Sequence, residues 1–237
     1  MRGVLAALAL SASPAAAVTC TDIVFEGTGF TTCEVRMDED VQLYHRGADG
    51  EVIGHFDRLA ATRPDRTLVF AMNAGMYHED RAPVGLYREE GAQGSPVVTR
   101  AGPGNFGLLP NGVLCIAETR LQVYETLDFV AQDPACRDAT QSGPMLVIDG
   151  ALHPRFIDGG TSKYIRNGVG TSADGQRAVF AISNAPVNFH SFGRLFRDVL
   201  ALPNALYFDG NVSRLYAPTL GRDDFGFRLG PMVAVFE

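Results

Sequence analysis

The stretch that decides the fold class is Ala205-Leu206-Tyr207-Phe208, followed at once by Asp209-Gly210. Four apolar residues that run directly into a turn-forming pair are typical of a short buried β-strand. The same arrangement of a short apolar run and a turn signal predicts further strands at residues 67–72, 84–87, 112–117, 120–124, 145–148, 177–182 and 232–236. The chain is therefore predicted to be rich in β-structure.

Helical spacing is found in two segments, residues 57–62 and 189–202, which stop before Pro64 and Pro203. Proline cannot continue a helix, so both ends are well defined. Asp149-Gly150 and Asp174-Gly175 lie between apolar runs and predict hairpin turns. No repeat or linker divides the chain. We therefore expect an α+β fold, in which residues 18–237 form a single mixed β-rich domain with a few packed helices.

The first 17 residues have the order of a secretory signal peptide. Arg2 is followed by an apolar run at residues 4–10 and then by Ala15-Ala16-Ala17, after which cleavage is expected. The apolar run is shorter than the roughly 20 residues that cross a bilayer, so we expect no membrane insertion. The predicted location of the mature protein is periplasmic or secreted.

The charge of the chain excludes two classes of partner. The 20 basic and 27 acidic residues give a net charge of −7, and lysine and arginine form no cluster. Nucleic acid and anionic membrane surfaces attract basic patches, so neither is an expected partner.

Four cysteines, Cys20, Cys33, Cys115 and Cys136, suit an exported protein with disulfides. Three pairings are possible, and we favour Cys20 with Cys33 and Cys115 with Cys136, because each pair closes a short loop. No C-x-x-C spacing and no carboxylate cluster points to a bound metal, and no cofactor is expected.

Polar residues follow or interrupt the apolar strands in four segments, at residues 71–77, 141–145, 164–170 and 208–213. A strand fixes its own backbone while the adjoining loop stays open to a ligand, so strand ends are favourable places for binding groups. If these ends meet in the fold, they form one pocket.

Five motifs in sequence order, at residues 70–77, 83–86, 141–147, 166–170 and 205–213, resemble the phosphodiester glycosidase family. The resemblance runs from about residue 67 to the end of the chain and is closer to the bacterial, single-domain branch. This chain has Asn73-Ala74-Gly75 where many relatives have Asn-Gly-Gly, and Asn211-Val212-Ser213 after Asp209-Gly210 where they have Gly-Gly-Ser-Ser. The resemblance implies a hydrolase that cleaves a glycan-linked phosphodiester at its glycosidic bond, with a glycan or sugar phosphate as substrate. Fold and pocket position should carry over better than substrate identity.

Three residues are predicted to carry this chemistry. Arg166 is the expected phosphate ligand, because a guanidinium fork can hold two phosphate oxygens. Asp209 is the expected base, or the counter-charge to an oxocarbenium-like sugar, and Asn73 is the expected neutral hydrogen-bonding group. The alternatives are a surface arginine, an Asp-Gly turn and an asparagine that caps a strand end.

The remaining predicted site residues are expected to contact the substrate. Glycines at 75 and 143 would permit close approach of the backbone, and Tyr77 would stack on a sugar ring. The predicted set is Gly75, Tyr77, Gln141, Ser142, Gly143, Asn167, Asn211 and Ser213. His78 and His190 are the next candidates for a base.

Two other readings remain open from the sequence. The altered glycine motifs would also fit a catalytically silent glycan- or phosphate-binding protein on the same fold, or an envelope assembly protein with a residual pocket. No G-x-S-x-G motif supports a serine hydrolase.

Overall fold

The structure is a computed structural model that describes residues 18–237, so the predicted leader at residues 1–17 lies outside the described residues. Across the described range the strands form three antiparallel sheets, accompanied by short helices. The predicted α+β class is confirmed.

The main sheet has seven strands in the described part of the chain. One of them contains the predicted strand Ala205-Leu206-Tyr207-Phe208. The strands of the main sheet are β1 (Thr19–Phe25), β2 (Thr28–Arg36), β10 (Met145–Ile148), β11 (Ala151–Leu152), β12 (Asn167–Thr171), β13 (Arg177–Ser183) and β14 (Asn204–Asp209), in the spatial order β1-β2-β13-β12-β14-β10-β11. Strand β14 is therefore an interior strand of this sheet, with β12 on one side and β10 on the other.

Each of the other two sheets has five strands within residues 18–237. The second sheet contains β3 (Val41–Tyr44), β4 (Leu68–Asn73), β15 (Leu215–Ala217), β16 (Arg222–Asp223) and β17 (Met232–Phe236), in the order β16-β15-β4-β17-β3. The third contains β5 (Tyr87–Glu89), β6 (Ala92–Ser95), β7 (Gly112–Ile116), β8 (Leu121–Glu125) and β9 (Asp138–Ser142), in the order β6-β5-β9-β7-β8.

One apolar core joins all three sheets. Phe180 and Phe208 of the main sheet, Phe70 of the second and Leu114 of the third belong to the same buried cluster. The rings of Phe70 and Phe180 lie 5.0 Å apart, so the main and second sheets are in direct contact. Burial of this shared surface is the main force that holds the sheets together.

Each helix covers the outer face of one sheet. Helix α1 (Phe56–Ala61) packs on the second sheet, α2 (Thr126–Gln132) on the third, and α3 (Phe189–Arg194) with the π-helical turn Leu195–Val199 on the main sheet. A short 3-10 turn spans Pro218–Leu220. The predicted helix at residues 189–202 therefore ends earlier than expected, and Ala201 takes a left-handed φ of 52° that turns the chain.

Both predicted hairpin turns are present. Asp149 and Gly150, with φ angles of 46° and 80°, join β10 to β11, and Asp174-Gly175 lies between β12 and β13. The strand predicted at residues 84–87 is wrong over residues 84–86, because the backbone N–H of Leu86 donates to the side chain of Gln141 and not to a neighbouring strand.

The structure contains two disulfides, Cys20–Cys33 and Cys115–Cys136, which is the pairing that loop length favours. The first links the adjacent strands β1 and β2, and the second ties β7 to the segment after α2. No helix within residues 18–237 is both long enough and apolar enough to cross a bilayer.

Candidate active site

A cavity of about 350 Å³ lies at the end of β14. We call it the Asp209 cavity. Its walls combine one carboxylate with hydroxyl, amide and glycine groups from four separate segments of the chain. The lining residues are Met76, Gly104, Asn105, Ser162, Tyr164, Tyr207, Asp209, Gly210 and Asn211.

Asp209 is the last residue of β14, and its carboxylate is held by the turn that follows. Oδ1 accepts hydrogen bonds from the backbone N–H of Gly210 at 2.6 Å and of Asn211 at 3.0 Å. Burial raises the pKa of Asp209 above its ordinary value, although these backbone N–H groups oppose the rise. Among the described residues, no basic side chain forms an ion pair with this carboxylate within 4.0 Å. The site therefore presents a desolvated carboxylate of increased basicity.

Arg166 lies immediately before β12 and is fully buried. Its Nε donates to the carbonyl of Val187 at 2.9 Å and its Nη2 to the carbonyl of Ser162 at 3.0 Å. The guanidinium carbon lies 3.6 Å from the centre of the Phe189 ring, a cation–π contact. Burial lowers the pKa of Arg166. The expected two-point grip on a phosphate is thus absent in this arrangement, because two of the three guanidinium nitrogens are bound to carbonyls.

Asn73 and Asn167 form a buried amide pair that joins the second sheet to the main sheet. Asn167 Nδ2 donates to Asn73 Oδ1 at 2.8 Å, and Asn73 Nδ2 donates to Asn167 Oδ1 at 3.3 Å. Asn167 Oδ1 also accepts from the backbone N–H of Asp209 at 3.1 Å. The pair therefore positions the backbone of Asp209.

Two serines fix the carbonyls at the same strand end. Ser142 Oγ donates to the carbonyl of Phe208 at 3.0 Å, and Ser213 Oγ donates to the carbonyl of Asp209 at 2.9 Å. Ser142 is fully buried, so its hydroxyl is used within the protein. Both serines hold β14 in place beside the cavity.

Gln141 and Gly143 lie farther from the carboxylate. Gln141 is buried, and its Oε1 accepts from the backbone N–H groups of Leu86 at 3.1 Å and Val98 at 2.9 Å. Gly143 precedes a cis peptide bond to Pro144 and packs against Asn111. Both residues shape the loops around the third sheet.

Gly75 and Tyr77 border the site on the side of the second sheet. Gly75 has a φ of 143°, and a Cβ there would lie 3.2 Å from Thr140 Oγ1, so glycine suits this turn. The half-buried Tyr77 donates to the carbonyl of Arg228 at 3.4 Å. Burial raises the pKa of Tyr77 to about 12, and the nearby Asp209 carboxylate adds to the rise. Tyr77 is thus electrostatically coupled to Asp209, although it is not part of the cavity wall.

Of the predicted site residues, Asp209 and the exposed Asn211 line the cavity. Asn73, Ser142, Arg166 and Asn167 are buried and do not line it, and Ser213 contacts Asp209 without lining it. His78 is exposed, whereas His190 lies 3.4 Å from Asp158 at the start of α3, and neither lines the cavity.

Sequence reasoning missed most of the cavity wall. The sequence pattern places Tyr207 in an apolar strand and Tyr164 in the candidate segment 164–170 without a role, whereas Asn105 and Ser162 lie outside all four candidate segments. Alternation along β14 gives one usable signal, since Tyr207 and Asp209 are two residues apart and so face the same side of the sheet. Asn105 and Ser162 lie in loops without a periodic pattern.

No group of three or more histidine, cysteine, aspartate or glutamate side chains within residues 18–237 is arranged to hold a metal ion. A larger cavity of about 690 Å³, lined by Arg46, Arg58, Arg63 and Glu90 among others, shares no residue with the Asp209 cavity. Its charges are partly neutralised by the ion pairs of Arg58 with Asp49 and of Arg63 with Asp40. We therefore take the Asp209 cavity as the candidate active site.

Comparison with known proteins identifies the family. The model of the family described as phosphodiester glycosidase matches residues 66–225. Uncharacterized protein YigE of Escherichia coli strain K12 is 35% identical over 213 residues, which cover 88% of this chain and 83% of YigE. A solved structure of the zebrafish N-acetylglucosamine-1-phosphodiester alpha-N-acetylglucosaminidase catalytic domain, auto-inhibited by its pro-peptide, covers 93% of this chain and 82% of that chain with a TM-score of 0.60. Because the two sequences are only 13% identical, this structural similarity shows a shared fold alone. The resemblance seen in the strand-end motifs is confirmed, and the chain belongs to a family of hydrolytic enzymes, the phosphodiester glycosidases.

Proposed function

We propose that this protein is an exported hydrolase that cleaves a glycan-linked sugar-1-phosphate diester at its glycosidic bond, in the Asp209 cavity. The observation that carries the proposal is the desolvated carboxylate of Asp209, held at the cavity wall by backbone N–H groups and without a cationic partner in the described chain. Family membership supports the reaction class.

The proposed reaction uses the basicity of Asp209. The bond between the anomeric carbon and the phosphate oxygen breaks, and its electron pair leaves with the phosphate. A water molecule forms the new bond to the anomeric carbon and gives its proton to the Asp209 carboxylate. Phosphate is a good leaving group, so one carboxylate is sufficient where other glycosidases use two.

Arg166 would stabilise the departing phosphate by its charge. Its buried guanidinium lies 5.2 Å from the ring centre of Tyr207, a residue of the cavity wall, and forms no ion pair with any described acidic side chain within 4.0 Å. An unneutralised cation in a water-poor site attracts an anion more strongly than it would in water. Nη1 has no hydrogen-bond partner of ordinary geometry and is the part of the guanidinium left for this role.

The buried polar residues would keep this arrangement rigid. Asn73 and Asn167 fix the backbone N–H of Asp209, while Ser142 and Ser213 fix the carbonyls around it. A carboxylate must be held within a fraction of an ångström of its target, so such supports act on the rate of the reaction. The exposed Asn211 is proposed to contact sugar hydroxyls.

Export is proposed from the predicted leader and supported by the two disulfides, which persist in oxidising compartments. Cell fractionation with mass spectrometry of the non-reduced protein tests this part. A mature chain that begins near Val18 with no free thiol is expected. A cytoplasmic protein that retains residues 1–17 and carries free thiols would contradict export.

The reaction is tested with the 4-nitrophenyl phosphodiester of a sugar 1-phosphate. N-acetylglucosamine is a rational first sugar, because the solved zebrafish enzyme is named for that sugar 1-phosphodiester. Glycosidic cleavage releases 4-nitrophenyl phosphate, which becomes coloured only after a phosphatase is added. Reaction in ¹⁸O-labelled water should place the label on the sugar. Colour without phosphatase, or label on phosphate, would identify a phosphodiesterase instead.

Asp209→Asn is the decisive variant. It removes the charge but keeps the shape, so kcat should fall by about 100-fold or more with KM nearly unchanged. Asp149→Asn is the matched control. Asp149 also lies in an Asp-Gly turn, but it is exposed and does not line the Asp209 cavity, so this variant should keep full activity. A near-normal kcat in Asp209→Asn would show that Asp209 serves only the Asp-Gly turn and is not the base. Tight glycan binding without turnover by the wild type would favour the catalytically silent alternative.

A further inference from the structure

Tyr207 has a polar atom that the fold leaves without a partner. The side chain is fully buried, yet it forms part of the wall of the Asp209 cavity. Its hydroxyl has no hydrogen-bond partner of ordinary geometry in the structure. Buried hydroxyl groups are almost always hydrogen-bonded, so each exception calls for an explanation.

A second unpartnered polar atom belongs to the residue beside it. Arg166 Nη1 is buried without a partner, and the guanidinium carbon of Arg166 lies 5.2 Å from the centre of the Tyr207 ring. The Tyr207 hydroxyl is close enough to the guanidinium for each group to shift the pKa of the other. Two donors without ordinary partners, one of them cationic, are therefore adjacent, and Tyr207, which carries one of them, belongs to the cavity wall.

The same cavity wall also carries the negative charge of Asp209. Tyr207 and Asp209 face the same side of β14, so the donors and the carboxylate lie along one wall. Gly210 permits this arrangement, because a Cβ at that position would overlap the Tyr207 hydroxyl oxygen. One wall thus carries both a hydrogen-bond donor, the Tyr207 hydroxyl, and an acceptor, the Asp209 carboxylate.

We infer that the Tyr207 hydroxyl and Arg166 Nη1 together bind one non-bridging oxygen of the substrate phosphate. The inference rests on the proposed function, and it adds a substrate-contacting residue that the sequence motifs did not indicate. Tyr207 donates the hydrogen bond, and the buried guanidinium behind it strengthens that bond as negative charge grows on the leaving phosphate. The Asn105 side chain lies close to the hydroxyl and must rotate aside when the phosphate enters.

An unpaired hydroxyl has a specific signature in stability measurements. Removing a buried polar group that has no partner relieves a cost, whereas removing a bonded one creates a cost. Tyr207→Phe should therefore unfold at the same temperature as the wild type or at a higher one. A purely structural tyrosine that is bonded in the folded protein would instead lower the unfolding temperature.

The test is the binding of inorganic phosphate, measured by calorimetric titration of the full mature chain. Tyr207→Phe should weaken phosphate binding by about 10-fold or more, in the range of one hydrogen bond to a charged group. Tyr216→Phe, in the second sheet, is the matched control and should bind as the wild type does. Asp209→Asn should bind phosphate at least as tightly as the wild type, since a nearby negative charge is removed.

The outcomes separate this inference from the proposed reaction. Equal phosphate affinity in the wild type and Tyr207→Phe overturns the inference, even if the wild type cleaves the diester. Loss of phosphate binding in Tyr207→Phe supports it, even if no diester tested is cleaved. In an active enzyme, Tyr207→Phe should also reduce the preference for a sugar phosphodiester over a neutral aryl glycoside. An unchanged preference counts against the inference.

Discussion

The side-chain oxygen of Asn167 accepts a hydrogen bond from the backbone N–H of Asp209 at 3.1 Å. The same oxygen accepts from Asn73 Nδ2 at 3.3 Å, and Ser213 Oγ lies 3.4 Å from it. One buried amide oxygen is thus bonded both to the backbone of Asp209 in the main sheet and to the side chain of Asn73 in the second sheet. This oxygen therefore fixes the backbone at the last residue of β14, Asp209, which carries the carboxylate.

Asn167→Ala should therefore reduce both stability and rate. It leaves the Asp209 N–H and the Asn73 amide without this partner, which should lower the free energy of unfolding by about 1–3 kcal/mol. We expect kcat to fall more than KM rises, because the carboxylate loses its position. Urea unfolding and steady-state kinetics measure the two effects. Asn184→Ala, at an exposed position after β13, is the control. Equal losses in both variants would remove the positioning role of Asn167.

Asp209 should make the stability of the protein depend on pH. Burial raises its pKa, so the folded protein holds this proton more tightly than the unfolded chain does. The stability that this carboxyl contributes is fully present below its ordinary pKa of 3.8 and is lost as pH rises through the raised value. Asp209→Asn should consequently unfold at a higher temperature than the wild type at pH 7, and the gain should shrink toward about pH 3. Thermal unfolding across this pH range measures the difference, and a gain that is independent of pH would contradict the assignment.

Arg166→Lys should be a poor substitute despite keeping a positive charge. The guanidinium donates to two carbonyls at once, those of Val187 and Ser162, through two different nitrogens. The single ammonium nitrogen of lysine cannot reproduce this planar, forked geometry. We expect the free energy of unfolding to fall by about 1.5–3 kcal/mol, with a rise in KM and a fall in kcat. Arg155→Lys, at an exposed position, should change none of these quantities. Wild-type kinetics in a stably folded Arg166→Lys protein would exclude a role for the fork.

The Cys115–Cys136 disulfide should contribute measurably to stability. It closes a segment of 21 residues, for which the chain-entropy model predicts about 3 kcal/mol. Replacing both cysteines with alanine should lower the free energy of unfolding by that amount and leave KM unchanged, because neither cysteine lines the Asp209 cavity. Non-reducing urea unfolding provides the measurement. A loss well below 1 kcal/mol would show that the unfolded chain gains little freedom.

Much of the fold followed from local patterns. The strands at residues 145–148 and 232–236 were predicted with their observed bounds, because each is a short apolar run with clear turn signals on either side. Strand β12 (Asn167–Thr171) was not identified as a strand, since its two glycines give little β-propensity. Helix α2 was also missed. Glu125 caps it by accepting from the N–H groups of Leu127 and Asp128, a signal weaker than the usual Ser, Thr, Asp or Asn cap.

The site could be predicted only in part. Polar residues at strand ends did lead to Asp209 and to the residues that support it, but sequence gives no measure of burial. The strand-end pattern predicts Arg166 and Ser142 in the cavity wall, yet both side chains are buried and neither lines the cavity. Tyr207 shows the opposite case. It lines the cavity, but in the sequence it is an aromatic residue within an apolar strand, like many others. Its unpartnered hydroxyl becomes visible only once its neighbours are known.

The amide pair also has a consequence for the order of folding. Asn73 and Asn167 are 94 residues apart in the chain and belong to different sheets, while Asp209 lies a further 42 residues away. Contacts between such distant residues form slowly, because long loops must close before they are made. Each sheet can gain its own hydrogen bonds before the pair exists, but the carboxylate is not positioned until the sheets dock. In a refolding experiment, secondary structure should therefore return before catalytic activity, and partly folded intermediates should be inactive.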